Sequence, residues 1–146
     1  RVSHNLGTGM VANFGLSKAV EELCESINQS GKVECQVLSY GVEEAELKLN
    51  TEIGIYRMVQ EIVNNTIKHS KAKNLSVQLN ALEETINITI EDDGVGFDLK
   101  AAKSKSGMGL SNLEKRAIKL GGNVHIDTQK GRGTTTIIEV PLNQEA

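Results

Sequence analysis

Residues 85–97 read Thr-Ile-Asn-Ile-Thr-Ile-Glu-Asp-Asp-Gly-Val-Gly-Phe, and this stretch decides the fold. Isoleucines alternate with polar residues, which predicts a half-buried strand over residues 85–91. Two carboxylates and two glycines follow at once, at the start of a long loop over residues 92–107. An ordinary turn would have a similar composition, because Asp and Gly favour turns. A carboxylate at a strand end could also accept a hydrogen bond from an exocyclic amine such as that of adenine, with glycines letting the ring lie against the backbone.

Residues 51–70 carry the strongest helical pattern in the chain. One face is predicted to be apolar and consists of Ile55, Val59, Ile62, Val63 and Thr66. On the opposite side lie Arg57, Glu61, Asn65 and Lys68, within about 80° of one another. A solvated face with an i,i+4 ion pair explains this row simply. However, carboxylate and amide oxygens suit Mg²⁺, and a lysine suits a phosphate.

Glycine is concentrated in the second half of the chain, where eight of the 14 glycines fall between Gly94 and Gly133. The segment Gly107-Met108-Gly109-Leu110 opens a predicted helix over residues 110–120. Free amides at a helix N-terminus can bind phosphate. No Walker sequence occurs in the chain, so any phosphate site has another design.

The remaining elements complete a predicted α/β two-layer sandwich with helices on one face of a mixed, mostly antiparallel sheet. Residues 1–13 are expected to be irregular. A helix is predicted over residues 16–27, with Ser17 as its N-cap and Gly31 after its end. Further strands are predicted over residues 33–40, 45–50, 75–79, 124–128 and 134–140. The last two form a hairpin around residues 130–133.

Composition excludes several classes of protein. The net charge is −3 and only four residues are aromatic, which argues against a basic or base-stacking nucleic-acid surface. No apolar run is long enough to span a membrane, so we expect no membrane contact from these residues. Two cysteines, Cys24 and Cys35, form neither a disulfide framework nor a zinc site, which is typical of reduced thiols in a cytoplasmic protein.

The order of these motifs resembles the ATP-binding superfamily of DNA gyrase, the heat-shock chaperones, histidine kinases and the mismatch-repair ATPases, which share the Bergerat sandwich. Within it, the chain is most similar to the catalytic domain of sensor histidine kinases of the NarL/DesK type. The resemblance is carried by four segments, namely residues 14–16, 55–70, 92–97 and 107–117.

This resemblance implies a domain organisation and a set of partners. Residues 1–13 would be the tail of a dimerisation helix, 14–142 the catalytic domain and 143–146 a C-terminal tail. The domain would bind Mg·ATP and pass the γ-phosphate to a histidine on a separate dimerisation domain, and the full-length kinase would serve a response regulator. His4 has no acidic neighbour and is not expected to be the acceptor.

The family's roles also carry over residue by residue. Asn65 would ligate Mg²⁺, with Glu61 positioning the metal or a water, while Lys68 would meet the phosphates and His69 the ribose or phosphates. Asp92 would hold the adenine amino group. Gly94 and Gly96 would admit the base, and Thr134 would lie behind it. Gly107, Gly109 and Leu110 would offer amides to the triphosphate, and residues 97–106 would form a lid.

Two other functions use the same pocket. An anti-sigma-factor type of serine kinase would phosphorylate a partner serine, but the sequence of residues 56–70 argues against it. A degenerate member would bind a nucleotide or partner without catalysis. The presence of Asn65, Asp92 and the glycine segments argues against that alternative.

Overall fold

The computed structural model describes the backbone of residues 2–97 and 110–142, with side chains described for 7–97 and 112–142. The helices are α1 (Val2–Phe14), α2 (Leu16–Ser30), α3 (Leu49–Asn65), a π-helical turn (Thr66–Ser70) and α4 (Leu110–Lys119). The strands are β1 (Glu34–Tyr40), β2 (Asn74–Ala81), β3 (Thr85–Asp92), β4 (Asn123–Thr128) and β5 (Thr134–Pro141).

The five strands form one sheet in the order β1-β2-β3-β5-β4. The pair β1–β2 is parallel, and the other three pairs are antiparallel. Strand β3 pairs with β2 on one side and β5 on the other, and its isoleucines, Ile86, Ile88 and Ile90, are at most 2% exposed. The predicted mixed, mostly antiparallel sheet is confirmed.

The helices cover one face of this sheet, where the apolar side chains of alternate strand positions are buried. Helix α2 packs on β1, α4 packs on β4 and β5, and α3 contacts α1, α2 and α4. Ile55, Met58 and Val59 of α3 have no measurable exposure. Burying each of these side chains contributes roughly 1.5–3 kcal/mol, so the apolar face of α3 holds this helix within the helical layer.

The strand predicted over residues 45–50 is wrong. Gly41 ends β1 with a φ of +72°, and the Ala45 amide donates to its carbonyl, so the chain turns back here. Helix α3 then begins at Leu49. Alternating apolar residues suggested a strand, but this segment has no pairing partner among the described strands.

The irregular conformation predicted for residues 1–13 is also wrong, because α1 is a continuous helix from Val2 to Phe14. Val11 is 1% exposed within the core. A Cβ atom at Gly7 would collide with the ring of Tyr56 on α3. Glycine at this position therefore permits close helix–helix contact rather than breaking the helix.

The N-terminus of α2 differs from the prediction as well. Gly15, with a φ of +92°, is the N-cap, and Glu52 of α3 accepts a hydrogen bond from the Leu16 amide at 3.4 Å. Ser17 is instead buried and shares a 2.7 Å hydrogen bond with the Ser39 hydroxyl. The C-terminal end is as predicted, with Gly31 in the left-handed conformation.

The β4–β5 turn offers a matched pair of glycines for a stability test. Both Gly131 and Gly133 have positive φ angles, +84° and +78°. A Cβ at Gly131 would meet open space, whereas one at Gly133 would collide with the Asp92 backbone carbonyl. We expect Gly131→Ala to lose about 1–2 kcal/mol from backbone strain alone. Gly133→Ala should lose about 1–3 kcal/mol more, because backbone atoms must move. Urea unfolding measures both, and equal losses would contradict the packing argument.

Candidate functional site

A cavity of about 270 Å³ lies between the sheet and the end of α3. Its walls come from α3, the π-helical turn, β3 and the loop after it, α4, β4 and β5. The lining residues are Glu61, Ile62, Asn65, Thr66, His69, Ser70, Ile90, Asp92, Gly96, Phe97, Leu113, Ile126, Thr134 and Thr136. Six of the residues predicted from the sequence therefore meet in one cavity, namely Glu61, Asn65, His69, Asp92, Gly96 and Thr134.

A second, wider depression of about 1100 Å³ is lined mainly by polar residues at the loop end of the sheet. Glu34, Gln36, Ser76, Glu91 and Thr135 contribute to it. Ligand pockets in proteins are mostly apolar with a few placed polar groups. The smaller cavity has that character, since Ile62, Ile90, Phe97, Leu113 and Ile126 form its walls around a few polar groups. It is the better candidate for a flat aromatic ligand.

Asp92 is the carboxylate at the end of β3, and it is held by two hydrogen bonds. Its Oδ1 accepts from the Gly94 amide at 2.8 Å, and its Oδ2 accepts from the Thr66 hydroxyl at 3.4 Å. Burial raises the pKa of Asp92, while these two hydrogen bonds oppose the rise. The sheet register sets Asp92 directly opposite Thr134. Asp92 thus offers a fixed acceptor at the cavity wall.

Asp93 is the neighbouring carboxylate, and it has a different surrounding. It is exposed, and it accepts hydrogen bonds from the amides of Lys73 and Asn74 at 2.8 and 2.9 Å and from the Asn74 side chain at 2.8 Å. These three donors lower the pKa of Asp93 to about 2. The side chain is therefore structural, since it ties the loop after β3 to the start of β2.

The glycines of this loop are packed against protein atoms. A Cβ at Gly94 would collide with the Ser70 carbonyl, and the Val95 amide donates to the same carbonyl at 2.7 Å. Gly96 has a φ of +64° and lies against the Gln129 carbonyl. Gly96 lines the cavity, whereas Gly94 is not one of its lining residues. Their predicted role in admitting a base stays a prediction.

The end of α3 changes its helical geometry within the site. The chain is α-helical through Asn65 and continues as a π-helical turn over Thr66–Ser70. A π-helix has more residues per turn, so the residues after Asn65 do not keep the angular spacing of a regular α-helix. Lys68 is exposed outside the cavity lining, while His69 is part of it. The row predicted along one face of a regular helix is therefore broken at Lys68.

Glu61 lines the cavity one turn before Asn65. Its Oε1 lies 4.0 Å from Nε of Arg116 on α4, and this pair is partly exposed. Such pairs contribute little to stability. The contact leaves Glu61 at the cavity wall.

Thr128 and Thr66 are two further residues that sequence reasoning did not assign to the site. The Thr128 hydroxyl bonds to the Thr134 hydroxyl at 2.8 Å and accepts from the Phe97 amide at 3.1 Å. It joins the start of the long loop to the β4–β5 hairpin. No sequence motif marks Thr128, and Thr66 was placed on the apolar face by its helical position alone.

Several predicted site residues cannot be located in the same way. Gly107 and Gly109 lie outside the described residues, as does the predicted lid apart from Phe97. Leu110 is the first residue of α4. Within the described residues, no group of three His, Cys, Asp or Glu side chains is arranged to hold a metal, and no helix is both long and apolar enough to cross a membrane.

Comparison with known proteins identifies this arrangement. Residues 50–144 match the family described as "Histidine kinase-, DNA gyrase B-, and HSP90-like ATPase". The sensor histidine kinase ComP of Bacillus subtilis is 34% identical over 141 residues, which cover 95% of this chain and 18% of ComP. The histidine-protein kinase/phosphatase DegS of the same organism is 35% identical over 117 residues, covering 78% of this chain and 30% of DegS. The chain thus spans less than a third of the length of these relatives.

The fold is also found among solved structures. The histidine kinase domain of the Erythrobacter litoralis blue-light activated kinase EL346 superposes with a TM-score of 0.70 at 23% identity, covering 87% of this chain and 61% of that one. The catalytic domain of the histidine kinase ThkA gives a TM-score of 0.67 at 16% identity, covering 87% and 90%. The predicted fold and the predicted resemblance to sensor histidine kinases are confirmed.

Asp93→Asn tests the structural role of the exposed carboxylate. The variant keeps one acceptor oxygen but loses charge-assisted hydrogen bonds, so we expect about 1 kcal/mol less stability at pH 7 after solvent screening is allowed for. A carboxyl whose pKa is lowered on folding stabilises the protein above its unfolded pKa, and this contribution disappears as the pH falls through the folded value. The difference between wild type and variant should therefore shrink from about pH 4 downwards and vanish only below about pH 2. A difference that is constant over this range in urea unfolding would contradict the assignment.

Proposed function

Because this chain belongs to the histidine kinase-, DNA gyrase B- and HSP90-like ATPase family, we propose that it binds Mg·ATP in the cavity beside Asp92 and presents the γ-phosphate to a histidine of a dimerisation domain. The observation that carries the proposal is the meeting of Asp92, Asn65 and Glu61 in one cavity. Sensor histidine kinases among its relatives support the kinase activity.

The end of the cavity beside Asp92, called the adenine end below, fits a purine with an amino group. In its ionised form the Asp92 carboxylate accepts hydrogen bonds only, which suits an amino group. The apolar side chains of Ile90, Leu113 and Ile126 surround this group and can cover the faces of a ring. Thr134, opposite Asp92 in the sheet, offers a hydroxyl next to it. Adenine would thus be held by one charged acceptor and apolar contact.

The end of the cavity lined by Asn65 and Glu61, called the phosphate end below, fits a magnesium ion. Asn65 and Glu61 place an amide and a carboxylate oxygen on the same wall. Mg²⁺ usually takes one or two protein oxygens and completes its shell with water and phosphate oxygens, so a larger acidic cluster is not required. When bound, the ion would neutralise charge on the phosphates. Asn65 would ligate it, and Glu61 would orient a ligand water.

The phosphate contacts rest on the family resemblance. Lys68 is exposed near the cavity, and His69 lines it. Lys68 would reach the phosphates from solvent, and Gly107, Gly109 and Leu110 would donate their amides. Phosphoryl transfer requires mainly positioning and charge neutralisation, which these groups would supply.

The proposal extends to partners and location. The acceptor histidine would belong to a dimerisation domain, with residues 1–13 as the end of its helix, 14–142 as the catalytic domain and 143–146 as a tail. The full-length kinase would deliver the phosphoryl group to a response regulator. We place the domain in the cytoplasm and assign it no nucleic-acid or membrane contact.

ATP binding tests the adenine assignment. Asp92→Asn replaces an acceptor with an amide whose NH₂ group would face the adenine amine, so we expect the ATP affinity to fall at least tenfold, as for loss of a hydrogen bond to a charged group. Isothermal titration calorimetry with and without Mg²⁺ measures the change. Asp93→Asn is the matched control, because Asp93 bonds to Lys73 and Asn74 outside the cavity. Unchanged affinity in Asp92→Asn would refute the assignment.

Phosphotransfer in trans tests the kinase activity and the metal site together. The domain is mixed with Mg²⁺, γ-labelled ATP and a dimerisation domain bearing an acceptor histidine, and acid-labile phosphohistidine is measured. Asn65→Ala should reduce the yield at least tenfold, because it removes a metal ligand. Asn64→Ala is the control, since Asn64 is exposed outside the cavity lining.

Two outcomes would contradict this part of the proposal. Equal phosphohistidine yields from Asn65→Ala and Asn64→Ala would show that Asn65 is not a metal ligand. ATP binding without phosphohistidine, with several dimerisation domains tried, would favour the degenerate alternative.

A further inference from the structure

Thr66 has an unusual hydrogen bond for a threonine within a helical segment. The hydroxyl of a helical threonine commonly donates a hydrogen bond to a backbone carbonyl of the preceding turn. The Thr66 hydroxyl instead donates to Oδ2 of Asp92, 26 residues further along the chain. Thr66 is only 6% exposed, and both residues line the cavity.

We infer that Thr66 is a positioning residue, which orients the Asp92 carboxylate toward the adenine amino group and thereby sets the preference for adenine over 6-oxopurine nucleotides. This inference rests on the proposed function and deepens it. Thr66 need not contact the nucleotide itself, because its effect passes through Asp92.

The geometry explains how Thr66 would orient the carboxylate. The terminal torsion of an aspartate side chain is broad and weakly restrained by itself. Here the Gly94 amide holds Oδ1 and the Thr66 hydroxyl holds Oδ2, so the carboxylate plane is set at both oxygens. Each carboxylate oxygen has two acceptor sites. Oδ2 can therefore accept from Thr66 and from a ligand together.

The chemistry of the purine edge explains the selectivity. Adenine presents an amino group at C6, whereas guanine and hypoxanthine present a carbonyl oxygen. A fixed, ionised carboxylate accepts from the amine and repels the carbonyl, and a polar site of this kind discriminates strongly. A protonated carboxyl could donate to the carbonyl and would lose this discrimination.

Thr66 also favours the ionised form of Asp92, since its hydrogen bond lowers the pKa that burial raises. Other charged groups face the same carboxylate. Asp93 follows it in the chain and raises its pKa, and His69 and Glu61 line the cavity from the π-helical turn and α3. Arg132 and Asp127 border Asp92 from the open groove beside the sheet. None of these groups is altered by a substitution at Thr66.

The test compares ATP with ITP, which carries a carbonyl in place of the amino group. Calorimetry of wild type, Thr66→Val and Thr66→Ser is performed with both nucleotides between pH 5 and pH 8. Thr66→Val removes the hydroxyl at nearly constant volume, and we expect the ATP-to-ITP affinity ratio to fall about fivefold or more, in line with the net contribution of one hydrogen bond. The pH below which ATP binding weakens should also move upward. Thr66→Ser keeps a hydroxyl and should restore both properties.

A merely structural role for Thr66 would change the unfolding midpoint and leave the affinity ratio and the pH profile unmoved, and that result would overturn the inference. Failure of Thr66→Ser to restore them would overturn it too. If Thr66→Val does not fold, Thr66→Ala removes the same hydroxyl and permits the same comparison. If wild type itself binds no ATP, the proposed function is wrong. This result differs from failure of the inference on Thr66, in which wild type binds ATP and the affinity ratio does not change in Thr66→Val.

Discussion

The hydrogen bond from the Val95 amide to the Ser70 carbonyl, 2.7 Å long, joins the end of the long helix to the loop after the central strand. It depends on Gly94, because any side chain there would collide with the same carbonyl. Asn65 lies just before this junction and Asp92 just before the loop. Because protein interiors are close-packed, this backbone contact contributes to the spacing between the phosphate end and the adenine end of the proposed site.

Local periodicity explains which elements could be predicted from the sequence. The alternation of Ile86, Ile88 and Ile90 and the helical spacing of Ile55 and Val59 both reflect burial on one face, and burial of this kind is visible in short windows. The strand order could not be derived in this way. Pairing β1 with β2 in parallel depends on contacts across some 40 residues, which no local pattern records.

The wrong predictions share a physical cause, since tertiary contacts overrode local preferences. Residues 1–13 contain Gly7, a residue type that disfavours helix interiors, yet this glycine lets α1 approach Tyr56. Ser17 has the chemistry of an N-cap, but Glu52 from another helix interacts with the first amide of α2 instead. The π-helical turn could not be predicted from the sequence pattern either, because a π-helix differs from an α-helix by only a fraction of a residue per turn. Lys68 lies within this turn and does not line the cavity.

Asp92 and Asp93 show why the candidate site could be located from sequence but not fully described. The pair of carboxylates at the end of a predicted strand is visible in the sequence, and the family resemblance assigns the adenine contact to Asp92. Their electrostatic difference comes from structure alone. Burial raises the pKa of Asp92, whereas three donors at the surface lower that of Asp93 to about 2. Successive side chains of an extended segment point to opposite sides. Asp92 therefore faces an apolar cavity, where a hydrogen-bond acceptor can select its ligand. Asp93 binds the start of β2 and so stabilises the loop that positions Asp92.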